Sequence, residues 1–206
     1  MTRSRGARNR DYEEQRLALA VRLRERLGNA GGAQPSLADL AKAAGVSVAT
    51  LRHYFGDRDG LVAAVLELHG AQGTEHLAVL RQPSGPFAAS VGDAAAYLAL
   101  GLSQPVVREL HALGLSEGLG HPRSGPAYLA HTLEPLVQAL EDRFRAHIAA
   151  GEMRDADPRA AALALAAPLL LAHLHQDRLG GTTVRPLDLD RFRAEHVEAF
   201  VRAYGR

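Results

Sequence analysis

SLADLAKAAGVSVATLRHYFGDRDGL, residues 36–61, decides the fold. Ser36 carries a hydroxyl suited to capping a helix. Behind it Leu37, Leu40 and Ala41 recur at three- and four-residue intervals, which places them on one helical face. The run ends at Ala44, and Gly45 supplies the conformational freedom of a sharp turn. Ser47 opens a second short helix in the same way, with Val46 plugging the turn and Leu51 and Phe55 as inward anchors. Two short helices joined through a glycine turn form a helix-turn-helix. With Leu51 and Phe55 inside, Val48, Ala49, Arg52 and His53 face outward, where a recognition helix presents its reading surface.

Upstream, residues 11–27 read as a helix with Leu17, Ala20, Val21 and Leu27 as its apolar stripe, preceded by a basic, flexible arm over residues 1–10. Arg3, Arg5 and Arg8 of that arm are candidates for the minor groove or the DNA backbone. Residues 1–60 hold 11 basic and 7 acidic side chains, whereas the remainder is mildly acidic, so a basic head suited to a polyanion sits on an acidic body. Hydrophobic residues make up 47% and charged residues 23% of the 206, the balance of a soluble globular chain. No cysteine is present, which excludes disulfides and cysteine metal sites. The basic N-terminus has no apolar stretch behind it, and no apolar run reaches the roughly 18 residues of a membrane span. The expectation is a cytoplasmic protein with no membrane association.

The 36–61 stretch resembles the TetR family of repressors. Ser36, Leu40-Ala41, Ala44-Gly45-Val46-Ser47, Thr50-Leu51, Phe55 and Arg58 match the family's pattern. The family usually has tyrosine where Arg52 stands, histidine at Tyr54 and lysine at Arg58. The residues themselves suggest roles. Arg52 suits the O6 and N7 of guanine, His53 a base edge, and Val48 and Ala49 a thymine methyl. Ser36, Thr50, Tyr54 and Arg58 suit phosphates, and Ser47 at the helix start completes the DNA-facing set.

The rest of the chain reads as helical, giving an all-α protein. It divides into an N-terminal three-helix DNA-binding domain, residues 11–57, and a C-terminal helical bundle for ligand binding and dimerisation, residues 58–206. One helix is expected over residues 59–80. A long one follows over 124–150, with Leu129, Leu133, Leu136, Leu140, Phe144 and Ile148 as its stripe. Asp157 and Pro158 open an apolar helix kinked at Pro168, and a last helix follows Asp188 or Asp190, its bulk coming from Phe192, Val197, Phe200 and Tyr204. Residues 181–185 look extended.

The resemblance implies a homodimer on a near-palindromic double-stranded operator, released by a small-molecule effector, with no cofactor. In the family the last two helices of each subunit form the dimer interface, and Leu169, Phe192, His196 and Phe200 are the candidates here. Leu110, Leu113, Tyr128 and Leu170 are candidate pocket walls, with His111, His131, Thr132 and His173 as polar groups. No arginine or lysine interrupts residues 128–138 or 160–176, which disfavours a strongly anionic ligand. Three rivals compete. Residues 114–118 match Gly-x-Ser-x-Gly but lack the preceding strand that a hydrolase elbow needs. His131 with Glu134, and His69 with His76, have spacings that permit a metal-sensing module. An all-helical interaction protein with a degenerate helix-turn-helix is the third.

Overall fold

Glycine and proline punctuate a chain otherwise rich in alanine and leucine, and helices fill the intervals. The computed structural model describes residues 5–28 and 34–206. Its helices are α1 (Arg5–Gly28), α2 (Leu37–Ala44), α3 (Val48–Phe55), α4 (Arg58–Gln72), α5 (Thr74–Arg81), α6 (Phe87–Ser103), α7 (Pro105–Gly118), α8 (Ser124–Tyr128), α9 (Glu134–Ala149), α10 (Pro158–Asp177), α11 (Gly181–Val184) and α12 (Leu189–Tyr204). A π-helical turn, Leu129–Leu133, joins α8 to α9. Among the described residues there is no strand, and no helix is long and apolar enough to cross a membrane. The proposed DNA roles of Arg3, Arg5 and Arg8 fall on side chains outside those described.

Contacts group the chain into two units, residues 1–72 with 109–132, and residues 73–108 with 133–206. This differs from a division at residue 57, because α4 packs on α1, α3 and α8. In the first unit α1 begins at Arg5, so residues 5–10, expected as an arm, are helical. No proline stops the helix there, and extending an existing helix costs far less than starting one. Ala20 and Leu27 of the expected stripe are buried, together with Leu19 and Leu23, while Leu17 and Val21 are exposed. Leu40, Ala41, Leu51, Phe55, Leu61, Val65 and Leu66 are among the other residues of the unit's apolar interior.

The expected helix over residues 59–80 is broken at Gly73, with α4 before it and α5 after it. Gly70 has a steric role, since a Cβ there would lie 2.4 Å from the carbonyl oxygen of His131. Pro135 explains the π turn. It has no N–H to donate to the carbonyl four residues back, so the helix from residue 124 resets its register before α9. Leu129 is consequently exposed, whereas Leu140 and Phe144 are fully buried.

In the second unit α6, α9, α10 and α12 pack around Val91, Leu98, Val137, Leu140, Phe144, Leu165 and Leu169. Phe200 stacks between Phe144, at 5.4 Å, and Tyr204, at 4.5 Å. Asp157 and Asp188 cap α10 and α12 through the N–H groups of Arg159 and Arg191. Residues 181–185, expected as extended, form the single turn α11. Gly180 has φ +76°, and a Cβ on Gly181 would lie 2.4 Å from the His175 ring, so two glycines turn the chain despite the β-branched residues that follow.

One buried cation ties three helices of this unit together. The Arg143 side chain, 2% exposed, donates from Nε to Leu80 O at 2.7 Å, from Nη2 to Val79 O at 3.0 Å, and from Nη1 to Ser90 O and Oγ at 3.0 and 2.6 Å. It thereby satisfies the last carbonyls of α5. Burial lowers its pKa, a shift opposed by Asp93. Arg143→Met keeps the stem but orphans these oxygens. The variant is expected to lose about 3–5 kcal/mol in urea unfolding. A loss below about 1 kcal/mol would mean that water replaces the guanidinium.

Candidate nucleic-acid interface

An eight-residue helix has too few internal hydrogen bonds to hold its own ends. Both α2 and α3 are held from outside. Ser36 and Asp39 form a reciprocal capping box on α2, with Asp39 N donating to Ser36 Oγ at 3.2 Å and Ser36 N to Asp39 Oδ2 at 3.0 Å. The Ser36 hydrogen bonds lower the Asp39 pKa. Gly45 closes α2 at φ +67°, and Arg22 donates to Ala44 O at 2.7 Å. Ser47 Oγ accepts from Thr50 N at 3.0 Å and pairs with Thr50 Oγ1 at 2.8 Å. The Tyr12 hydroxyl donates to the carbonyls of His53 and Tyr54 at the end of α3.

This frame leaves one face of α3 open. Leu51 and Phe55 are buried, Ala49, Arg52 and His53 are exposed, and Val48, Thr50 and Tyr54 are half-buried. The Arg52 guanidinium has no hydrogen-bond or ion-pair partner among the described residues. The His53 ring packs edge-on against Tyr12 at 5.4 Å and Tyr54 at 5.1 Å, which fixes its direction. The hydroxyls of Ser36 and Ser47 are occupied by their caps.

Arg58, expected at a phosphate, is turned inward. Its Nε donates to Pro35 O at 2.8 Å and its two terminal nitrogens clasp both oxygens of Glu117, Nη2 at 2.8 Å. Glu117 is 2% exposed and was legible in the sequence only as part of the Gly-x-Ser-x-Gly match. That match lies within α7, and Ser116 Oγ bonds Leu113 O at 3.2 Å.

The candidate ligand residues divide between the units. Leu110, His111, Leu113, Tyr128, His131 and Thr132 belong to the first, Leu170 and His173 to the second. In the first, His111 Nδ1 and the Tyr128 hydroxyl are 2.8 Å apart, and Tyr128 lies so close to Gly114 that a Cβ there would meet its ring at 2.1 Å. Thr132 Oγ1 is buried with no hydrogen-bond partner among the described residues. Burial, and secondarily His69, pushes the His111 pKa down to about 4, and burial pushes the Tyr128 hydroxyl up to about 12. His173 Nδ1 bonds Leu169 O, four residues back, at 2.9 Å. No group of three or more metal-ligating side chains occurs among the described residues.

Two interface candidates are corrected. Leu169, 1% exposed, and Phe200, 4% exposed, belong to the core of the second unit. A helix that is apolar all round does not show by its sequence which side meets its own core. The exposed side of α10 carries Leu163, Ala167 and Leu171, while Phe192 and His196 are half-buried and stack with ring centroids 6.0 Å apart.

Two short capped helices set across the Gly45 turn form a helix-turn-helix. Residues 25–65 match the tetR family of bacterial regulatory proteins, and residues 93–206 match the C-terminal domain of AefR-like transcriptional repressors. The chain belongs to the TetR family of DNA-binding transcriptional regulators. No curated protein matches the sequence. Solved structures are similar in fold. A TetR-family regulator from Mesorhizobium loti is 20% identical, with a TM-score of 0.72 over 99% of this chain and 100% of that one. A regulator from Agrobacterium tumefaciens is 22% identical, with a TM-score of 0.63 over 94% and 95%. SmeT, the repressor of the Stenotrophomonas maltophilia multidrug efflux pump SmeDEF, is 18% identical, with a TM-score of 0.64 over 93% and 90%, and its complex with triclosan is also similar.

The neutral His111 makes stability depend on pH. The unfolded histidine takes a proton near its ordinary value of 6.5, the folded one only near 4, so the unfolded state binds more protons between the two. This contribution is complete above 6.5 and is lost as the pH falls to about 4, to a maximum of about 3 kcal/mol. His111→Gln is expected to flatten that part of the stability profile in denaturant unfolding. An unchanged slope would show that His111 is solvated.

Proposed function

We propose that the protein is a repressor whose recognition helix α3 reads the major groove through Arg52 and His53, and that a small, mostly apolar molecule releases it from DNA. The observation that carries this reading is the free guanidinium of Arg52 beside an orientated His53, on a helix whose two ends are held. The O6 and N7 of guanine are the partners that a planar fork of donors fits. Thr50 and Tyr54 flank that face and suit phosphates, and Val48 and Ala49 suit a thymine methyl. Dimerisation through the exposed side of α10, at Leu163, Ala167 and Leu171, with Phe192 and His196 of α12, makes the operator near-palindromic. A role in binding operator DNA supports a cytoplasmic location.

The effector reading rests on His111, Tyr128 and Thr132. They are buried polar groups among Leu110 and Leu113, and the Thr132 hydroxyl has a bond to offer. With His111 neutral and Tyr128 protonated, they suit a neutral ligand. SmeT, a repressor bound by triclosan in its complex, supports the same class of effector here. The reading includes no catalytic step. Ser90 Oγ, His147 Nε2 and Glu152 follow one another at 2.8 and 2.7 Å like a hydrolytic triad, but Ser90 is fully buried and already holds an Arg143 N–H.

Selection of duplexes from random sequence is expected to return a near-palindrome, and Arg52→Ala to cost about 1–3 kcal/mol at one guanine per half-site. An unaltered base preference for Arg52→Ala assigns that arginine to the backbone instead. A thermal-shift screen of neutral apolar compounds is expected to give hits that weaken binding to the selected duplex by roughly 5–150-fold. Hits that stabilise the protein but leave DNA affinity unchanged refute the switch.

A further inference from the structure

The junction of α3 and α4 contributes three successive charged residues, Asp57 in the turn and Arg58 and Asp59 at the start of α4, and each is bonded within the first unit. Asp57 accepts from Gly60 N at 2.9 Å and from Arg123. Asp59, whose side chain is 11% exposed, accepts from Ser124 N at 2.9 Å, Arg123 N at 3.1 Å and Arg123 Nε at 3.3 Å, and from the Ser124 hydroxyl. Between them Arg58 bridges Pro35 O to the carboxylate of Glu117, with side-chain exposures of 18% for Arg58 and 2% for Glu117. His121 Nε2 stands 3.5 Å from the same carboxylate and is itself 40% exposed.

We infer that Glu117, acting through Arg58, is a positioning residue for DNA binding: the pair holds the entrance of α2, and so the pose of the helix-turn-helix, against the end of α7. The inference rests on the reading of α3 as the DNA-contacting helix. Its geometry is specific. The fork of Arg58 is filled by Glu117 and its remaining edge by Pro35, the residue immediately before the Ser36 cap. To contact a phosphate the guanidinium must abandon a carboxylate that has almost no access to water. Stranding a buried charge costs more than an exposed ion pair returns, so the bridge stays closed on DNA. Arg58 therefore acts on DNA through the placement of α2 and α3. A lysine, with a single point charge, cannot hold Pro35 and both carboxylate oxygens in the same way.

The two roles available to Arg58 predict opposite signs. Glu117→Gln removes the charge of the carboxylate and preserves its shape. Affinity is measured on the wild-type-selected duplex, with the active fraction set by stoichiometric titration so that partial misfolding does not enter Kd. If the bridge positions the reading head, Glu117→Gln weakens binding about tenfold with the salt slope unchanged. If Glu117 merely withholds a phosphate ligand, the variant binds more tightly and its salt slope steepens by about 1. That result overturns the inference, as does an unchanged Kd. Arg58→Lys keeps a phosphate-binding charge and is expected to lose as much as Glu117→Gln, with no further loss in the double variant. Arg58→Lys with wild-type affinity also overturns it, and this arm stands even where Glu117→Gln does not fold. A wild-type protein that selects no duplex refutes the DNA-reading role of α3, whereas selection followed by indifference to both substitutions refutes the positioning role alone.

Discussion

Helices of eight residues sit below the roughly 12–15 at which an isolated helix becomes even marginal in water, and both helices of the reading head have that length. Their existence depends on groups supplied from elsewhere. Two serines and an aspartate satisfy the N-termini, Gly45 and Arg22 the end of α2, and Tyr12 the carbonyls at the end of α3. Apolar anchoring at Leu40, Leu51 and Phe55 supplies the rest. The same requirement gives α1 its purpose beyond packing, because it delivers Tyr12 and Arg22 to the ends of its shorter neighbours. The open face of α3 is what remains after these obligations are met.

The second unit meets a related demand with a buried cation. The α5 helix also has eight residues, and its final carbonyls are met by Arg143 of α9 rather than by a glycine cap. Ser90 completes the arrangement by accepting from Arg143 and bonding His147. A fully buried hydroxyl placed this way does structural work, even though its distances resemble those of a nucleophile. Access to a substrate separates the two cases.

Local chemistry was legible in the sequence where a residue acts on its near neighbours. Ser36, Gly45, Ser47, Asp157 and Asp188 each announce a helix boundary within three residues, and Leu51 and Phe55 declare the hidden side of α3. What the sequence left open depends on groups distant along the chain. Pro135 was visible, yet its effect, a π turn that exposes Leu129, follows from a missing donor to one particular carbonyl. Leu169 and Phe200 have the composition of an interface but lie inside their own unit, since hydrophobicity does not record which apolar surface a side chain meets. Arg58 is the clearest case. Its charge and position suit a phosphate, and only its approach to Glu117, 59 residues away, shows the other partner.

The same point alters the meaning of the basic head. The excess of arginine over acid in residues 1–60 suggests a surface rich in cations. Some of those cations are engaged within the protein: Arg58 is neutralised by Glu117, Arg16 pairs with Glu67 at 3.2 Å, and Arg22, itself exposed, donates to a helix terminus. The Arg52 side chain stands free on the exposed face of α3, and Arg10, Arg26 and Lys42 are exposed as well. Attraction to the phosphate backbone depends on charges that can reach it, so the net charge of the segment overstates its hold on unspecific DNA. Arginines engaged in this way contribute less to general attraction and more to fixing the direction of α2 and α3. That exchange favours discrimination between sequences, because a helix fixed in direction loses a base contact outright at a wrong site instead of tilting to recover it.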